Sequence, residues 1–185
     1  MPEPGPAETA RDVMRRLVVD VKDFPEPGIV FKDISPLLAD HAGLTAVVGA
    51  LADAGRDADG VTVVDKVVGM EARGFILAAP VALALGVGFV PVRKVGKLPR
   101  ATHAVSYALE YGRATLEIHQ DAIAPGERVL LIDDVLATGG TAVATRELVE
   151  SCGGVAVGFG VLLELTFLPG RAAIGDLPLT AIDQV

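Results

Sequence analysis

Short, β-branched and almost purely apolar segments recur along this chain with helical stretches between them. They occupy residues 61–69 (broken only by Asp65-Lys66), 89–92, 129–132 and 155–163. A strand without a polar face has to be covered on both sides, and helices at 75–85 and 141–152 supply the cover. Strand and helix in turn predict an α/β fold, with a central, mostly parallel sheet flanked by helices. The exception is 105–119, where Val105, Tyr107, Leu109, Leu116 and Ile118 alternate with polar residues around Glu110-Tyr111-Gly112-Arg113. That period of two predicts an antiparallel hairpin projecting from the sheet.

Helical spacing also marks 7–18, with Val13, Leu17 and Met14, Val18 on one face, and 41–54, with Asp40 as N-cap and Gly55 as its stop. Between them 23–34 reads as a loop, because Pro25, Pro27 and Gly28 oppose regular structure, yet it spends Ile29, Val30 and Phe31. At 185 residues, with no repeat and no dividing linker, the chain is expected to be one domain, with 1–7 a flexible, proline-rich extension.

Pro2, Glu3 and Pro4 are not the start of a signal peptide. Residues 75–92 lack charge, but Pro80, Gly86, Gly88 and Pro91 interrupt them, so they read as a buried helix–strand pair and no membrane association is expected. A net charge of −8 argues against a nucleic-acid partner. The lone Cys152 cannot form an internal disulfide, which points to a reducing, cytoplasmic compartment. The scattered His41, His103 and His119 suggest no structural zinc.

The most informative run is VLLIDDVLATGGT at 129–141. An apolar strand is expected to end at Asp133-Asp134, a short loop to carry Ala137, Thr138, Gly139, Gly140 and Thr141, and a helix to follow. Glycines let backbone N–H groups converge, the threonine hydroxyls add donors, and the helix N-terminus adds partial positive charge, which together make an anion cradle. The loop has no lysine, so triphosphatase chemistry is not indicated. Two carboxylates beside a phosphate cradle call for hydrogen-bond donors or a cation, and sugar hydroxyls or Mg²⁺ would both serve.

Arg93, Lys94, Lys97 and Arg100 crowd into eight positions of an acidic protein, which suits an anion. Gly69-Met70-Glu71-Ala72-Arg73-Gly74 repeats the pattern of strand end, turn and helix start, with Arg73 able to fork onto a phosphate.

The 129–141 run resembles the 5-phosphoribosyl-1-pyrophosphate (PRPP) motif of the type I phosphoribosyltransferases. Four more segments resemble the adenine phosphoribosyltransferases within that group: FPEPGIVFKDI at 24–34, GMEARGF at 69–75, VPVRKVGKLP at 90–99 and SYALEYG at 106–112. The resemblance implies that fold, with a small N-terminal hood loop and a hairpin lid, and transfer of a phosphoribosyl group from PRPP to adenine, giving AMP and pyrophosphate. By the same carry-over Asp133 and Asp134 hold the ribose, and Ala137, Thr138, Gly139, Gly140 and Thr141 hold the 5′-phosphate. Glu71, Ala72, Arg73, Gly74, Arg93, Lys94 and Lys97 face pyrophosphate, in a loop that in this fold often holds a non-proline cis peptide. Val30, Phe31 and Lys32 read adenine, while Tyr107, Glu110 and Tyr111 belong to the lid. Catalysis falls to Arg73, Arg93 and Glu110. Mg²⁺ is implied as cofactor, held mainly by PRPP, and a homodimer as the assembly. Another base, such as xanthine or orotate, and a non-catalytic PRPP-sensing regulator remain as alternatives.

Overall fold

A computed structural model describes residues 8–108 and 112–185. The expected flexible extension at 1–7 and the lid residues Leu109, Glu110 and Tyr111 lie outside the described residues. The chain divides into two compact units, 1–50 and 51–185.

In the first unit α1 (Ala10–Leu17) begins at a capping box: Thr9 Oγ1 accepts from the Asp12 amide, and the Asp12 carboxylate accepts from the Thr9 amide. Two strands, β1 (Val19–Lys22) and β2 (Val30–Asp33), then pair antiparallel, Val21 facing Phe31 and Lys22 facing Val30. The expected loop at 23–34 is therefore corrected. Its prolines and Gly28 disrupt structure only in the connection, where Asp23 and Gly28 take positive φ and Asp23 Oδ1 accepts from the Gly28 amide at 2.7 Å. Beyond that turn, pairing with β1 makes Val30, Phe31 and Lys32 a strand. Next come the short α2 (Ser35–Ala39) and α3 (His41–Asp53), which starts in this unit and ends three residues past its boundary; its first turn is capped by Asp40 Oδ1 accepting from the Gly43 amide at 2.6 Å.

The second unit carries a seven-stranded sheet in the order β5-β6-β4-β3-β7-β8-β9. Along the chain it runs β3 (Lys66–Met70), α4 (Arg73–Leu85), β4 (Gly88–Lys94), β5 (Thr102–Ala108), β6 (Arg113–His119), β7 (Arg128–Leu136), α5 (Gly140–Ser151), β8 (Val155–Glu164), α6 (Gly170–Ile174) and β9 (Leu179–Gln184). Strands β4, β3, β7, β8 and β9 are parallel, and the β5–β6 hairpin joins antiparallel at one edge through Arg93↔Glu117 and Lys94↔Leu116. This is the mostly parallel α/β sheet with an antiparallel hairpin that the pattern predicts. Val68, Met70, Leu131, Leu148, Phe159 and Val161 are among the fully covered side chains of its core. Each such burial contributes roughly 1.5–3 kcal/mol relative to exposure.

Two features depart from expectation. Strand β7 does not stop at Asp133-Asp134 but continues to Leu136, because β8 runs beside it with Val135↔Leu163 and Leu136↔Glu164 in register. The helix α6 and edge strand β9 were not anticipated; β9 owes its place to pairing along β8, and its sequence, LTAIDQ, has only a weak apolar alternation.

Candidate active site

Parallel neighbours bring their carboxyl ends together, so the turns after β3 and β7 share one edge of the sheet. After β7 the chain turns through Ala137, Thr138 and Gly139 into α5. Gly139 caps that helix with φ 85°, a conformation that asks for glycine. A cavity of about 70 Å³ opens here, lined by Asp133, Ala137, Thr138, Gly139, Gly140 and Thr141. The first turn of α5 leaves backbone N–H groups without helical partners at this point, and they are the donors an anion needs. From the hairpin the Tyr107 hydroxyl meets Thr141 Oγ1 at 3.0 Å, tying β5 to this loop.

The two aspartates differ in surroundings. Asp134 is buried, with Oδ2 2.7 Å from Arg73 Nε; the contact is one of charge, without the alignment of a hydrogen bond. Asp133 is half-buried, lines the cavity, and accepts from the Asp134 amide at 2.9 Å. Its carboxyl is pushed well above the usual range, first by burial and then by the adjacent Asp134 charge. Gly74, in the first turn of α4, packs against this strand end. A Cβ there would lie 2.9 Å from the Ile132 carbonyl oxygen and 3.0 Å from Asp133 Oδ1.

After β3, the Glu71–Ala72 peptide is cis. Glu71 is the centre of the basic segment: Lys97 Nζ donates to it at 2.7 Å, the Lys94 amide at 3.0 Å and Arg93 Nε at 3.3 Å. Burial would raise its pKa, but the Lys97 hydrogen bond, the Lys94 amide and the two cationic charges outweigh it and hold the carboxyl below its ordinary value. Arg93 also donates to the Lys97 carbonyl at 3.1 Å, so Arg93, Lys94 and Lys97 fold around one carboxylate. At the far end of the segment Arg100 pairs with Asp121.

In the first unit, Val30 is 49% exposed and Phe31 stands edge-on to Phe24, centroids 5.2 Å apart. Lys32 pairs with Asp20 at 2.7 Å. The second unit thus gathers Asp133, Asp134, the 137–141 loop, Arg73, Gly74 and Tyr107 along connected contacts. Val30, Phe31 and Lys32 lie in the other unit, and Glu110 and Tyr111 fall outside the described residues. Sequence reasoning missed the Arg73–Asp134 pair and the part Glu71 plays in gathering cations. For Glu71 a signal existed, a lone acid preceding a basic run; for Asp134 none did, since adjacent aspartates look alike in a sequence.

Residues 34–166 match the phosphoribosyl transferase domain family. The chain is 68% identical to the adenine phosphoribosyltransferase of Nocardioides sp., covering 97% of each. Its fold is similar to that of the adenine phosphoribosyltransferase of Thermoanaerobacter pseudethanolicus, with a TM-score of 0.88, 44% identity, and coverage of 95% of this chain and 99% of that one. The Saccharomyces cerevisiae enzyme, solved with an imino-altritol bisphosphate and adenine, gives 0.89 at 36% identity, over 94% and 98% of the two chains. With a loop-and-helix anion cradle beside a carboxylate pair, and likeness of this degree over nearly its whole length, the chain belongs to the adenine phosphoribosyltransferase family.

Proposed function

We propose that the protein transfers the 5-phosphoribosyl group of PRPP to adenine, releasing pyrophosphate and forming AMP, a purine-salvage reaction. The observation that carries this reading is the cradle after β7 set beside the Arg73 turn after β3, at the carboxyl ends of adjacent parallel strands.

In this reading Ala137, Thr138, Gly139, Gly140 and Thr141 hold the 5′-phosphate and Asp133 accepts from the ribose hydroxyls, with Asp134 beside it. Glu71, Ala72, Arg73, Gly74, Arg93, Lys94 and Lys97 form the pyrophosphate side. A bond forms between an adenine ring nitrogen and C1 of the ribose as the C1–oxygen bond to pyrophosphate breaks, and the ring N–H proton departs. The transition state has oxocarbenium character, so positive charge on the departing diphosphate is the main lever, and Arg73 and Arg93 supply it. Val30 and Lys32 offer main-chain groups to the base and Phe31 a stacking face. The family resemblance gives Tyr107, Glu110 and Tyr111 the part of a water-excluding lid, with Glu110 as its proton-handling or orienting group.

Among the described residues no cluster of three or more His, Cys, Asp or Glu could hold a metal ion by itself. The Asp133 carboxylate, lining the anion cradle, nonetheless fits Mg²⁺, which is bound by one or two carboxylates together with substrate phosphates rather than by an all-protein cage. It would be held mainly by PRPP oxygens, with the Asp133 carboxylate lining the same cavity, and would neutralise charge on the leaving diphosphate.

A homodimer belongs to the same reading and is supported by the apolar side chains α4 leaves exposed, Ile76 at 47% and Leu83 at 83%. No helix among the described residues is long and apolar enough to cross a membrane. A cytoplasmic location is supported by the lone, buried Cys152.

The test is an assay of pyrophosphate release by purified protein with PRPP, Mg²⁺ and, in separate reactions, adenine, hypoxanthine, guanine, xanthine and orotate. Release with adenine is expected. Release with another base and none with adenine would overturn the assignment of the base, and none with any base would overturn transfer itself.

A further inference from the structure

The 137–139 turn has no lysine, so it binds anions through the directions of backbone N–H groups, and those directions have to be enforced from behind. The short helix α6 stands there. A Cβ on Gly170 would lie 2.3 Å from the Ala137 carbonyl oxygen and 2.8 Å from Leu136 Cδ1. A Cβ on Gly139 would lie 2.8 Å from Ala173 Cβ and 3.0 Å from the Gly170 carbonyl oxygen. Loop and helix therefore meet backbone to backbone, with no room for a side chain between them.

A five-residue helix is marginal by itself and needs an outside anchor. Arg171 provides one. Its guanidinium forks onto Glu164, Nε donating to Oε1 at 2.6 Å and a terminal nitrogen to Oε2 at 2.5 Å. Glu164 is 3% exposed, is the last residue of β8, and pairs in register with Leu136, the residue just before the cradle. From β9, Gln184 Nε2 donates to the same carboxylate at 2.7 Å, and the Val185 amide donates to the Glu164 carbonyl oxygen at 3.0 Å. The contacts run unbroken from β9 through Glu164 and Arg171 to Gly170 and Ala173, and from there to Ala137 and Gly139.

We infer that Arg171, Glu164 and Gly170 are positioning residues for the phosphate loop, acting through the backbone of α6 to hold Ala137 and Gly139 in their anion-binding geometry. The inference rests on the assignment of that loop to the 5′-phosphate of PRPP. None of the three touches the cavity. Their effect is therefore on recognition of the phosphate end of the substrate, and the affinity for adenine is untouched.

Three variants test this: Arg171→Lys, which keeps the charge and loses the fork; Gly170→Ala, which pushes on Ala137 and leaves the ion pair whole; and Gln184→Ala, a mild change at an exposed site. Initial rates give KM for PRPP, KM for adenine and kcat, and calorimetry gives the Kd for ribose 5-phosphate, on samples shown folded by circular dichroism. Gly170→Ala is expected to raise KM for PRPP and Kd for ribose 5-phosphate about 10-fold or more, since displacements of an ångström in a positioned site have effects of that order. Arg171→Lys is expected to raise both by a smaller factor, and Gln184→Ala by the smallest, with KM for adenine unchanged throughout. A merely structural role would instead lower the active fraction, reducing apparent kcat at constant KM. Folded variants with wild-type KM for PRPP and wild-type Kd for ribose 5-phosphate would overturn the inference while leaving the proposed function intact. Wild-type protein that binds ribose 5-phosphate but turns over no base would overturn the proposed function, while the Kd series still decides the inference. Wild-type protein that does neither would overturn both. Should the other two variants not fold, Gln184→Ala with unchanged constants overturns the inference by itself.

Discussion

Arg73 Nε lies 2.7 Å from Asp134 Oδ2, and the pair joins the start of α4 to the last residues of β7. Because β7 continues through both aspartates, strand alternation sends neighbouring carboxylates into different surroundings: Asp134 is buried against Arg73, and Asp133 lines the cavity. Asp134 faces a protein cation, and Asp133 faces the cavity proposed to take the substrate.

That division gives the aspartates opposite responses to replacement by Asn. Asp133 has a folded pKa raised above its unfolded value, so the group favours folding only when protonated, and that contribution is lost as pH rises through the folded pKa. Asp133→Asn should therefore raise the melting temperature at pH 8, by a margin that shrinks as the pH is lowered through the folded pKa of Asp133. The same change removes a charged acceptor for ribose, so KM for PRPP should rise about 10- to 100-fold. Asp134→Asn removes the carboxylate charge 2.7 Å from Arg73 Nε. With Arg73 41% exposed, the loss of stability should be about 1–2 kcal/mol, below that of a fully buried pair. Thermal melts over pH together with initial rates check both. Equal effects on melting would refute the division.

Glu71 behaves in the opposite sense to Asp133. Its folded pKa is depressed, so its contribution is present above the unfolded value of about 4.3 and is lost as pH falls through the lower folded value. Glu71→Gln should destabilise the protein at pH 7 by about 1 kcal/mol, discounted for the exposure of Lys97 (49%) and Arg93 (34%). The difference from wild type should close as the pH drops below 4.3 or so. A deficit that persisted in acid would mean that the ion pairs are not its source.

The hydroxyl contact between Tyr107 and Thr141 makes the hairpin and the phosphate loop respond together. Tyr107→Phe keeps the ring packed and removes a single hydrogen bond, worth about 0.5–1.5 kcal/mol. We expect KM for PRPP to rise by a few-fold and the melting temperature to fall by about 1–6 °C, with KM for adenine nearly unchanged. If KM for adenine moved instead, the hairpin would act on the base and not on the phosphate end.

Most of this arrangement could be read from the chain before any coordinates. The sheet was legible because short apolar runs such as Leu130, Leu131 and Ile132 alternate with helical stretches, and the cradle because Gly139 and Gly140 follow such a strand and precede a helix. What escaped reading was decided between segments distant in sequence. The edge strand β9 exists because β8 offers it a ladder, and β2 because β1 does; neither carries a strong period of its own. The extension of β7 through Asp133-Asp134 likewise comes from its partner β8, overriding two residues that usually end strands. Arg171 is invisible for the same reason: its partner Glu164 is only seven positions away, but its effect passes through a backbone contact at Gly170 that no residue pattern announces.

The assignment of the base rests on Phe31, which packs edge-on against Phe24 at 5.2 Å in the first unit. A purine stacked on an aromatic ring gains about 1–3 kcal/mol, a factor of roughly 5 to 150 in affinity. Phe31→Ala should therefore raise KM for adenine by about 10-fold or more, while KM for PRPP changes less than about 2-fold, because the phosphate cradle belongs to the other unit. Phe31→Tyr, which keeps a ring, should restore most of the loss, and this rescue separates stacking from general loosening of the β1–β2 pair. A general loosening would lower the melting temperature and the active fraction in Phe31→Ala, and leave KM for adenine near that of wild type in the molecules still folded. Initial rates with adenine varied at saturating PRPP, set beside melting curves of the same samples, distinguish the two, and an unchanged KM for adenine in folded Phe31→Ala would remove Phe31 from the base site.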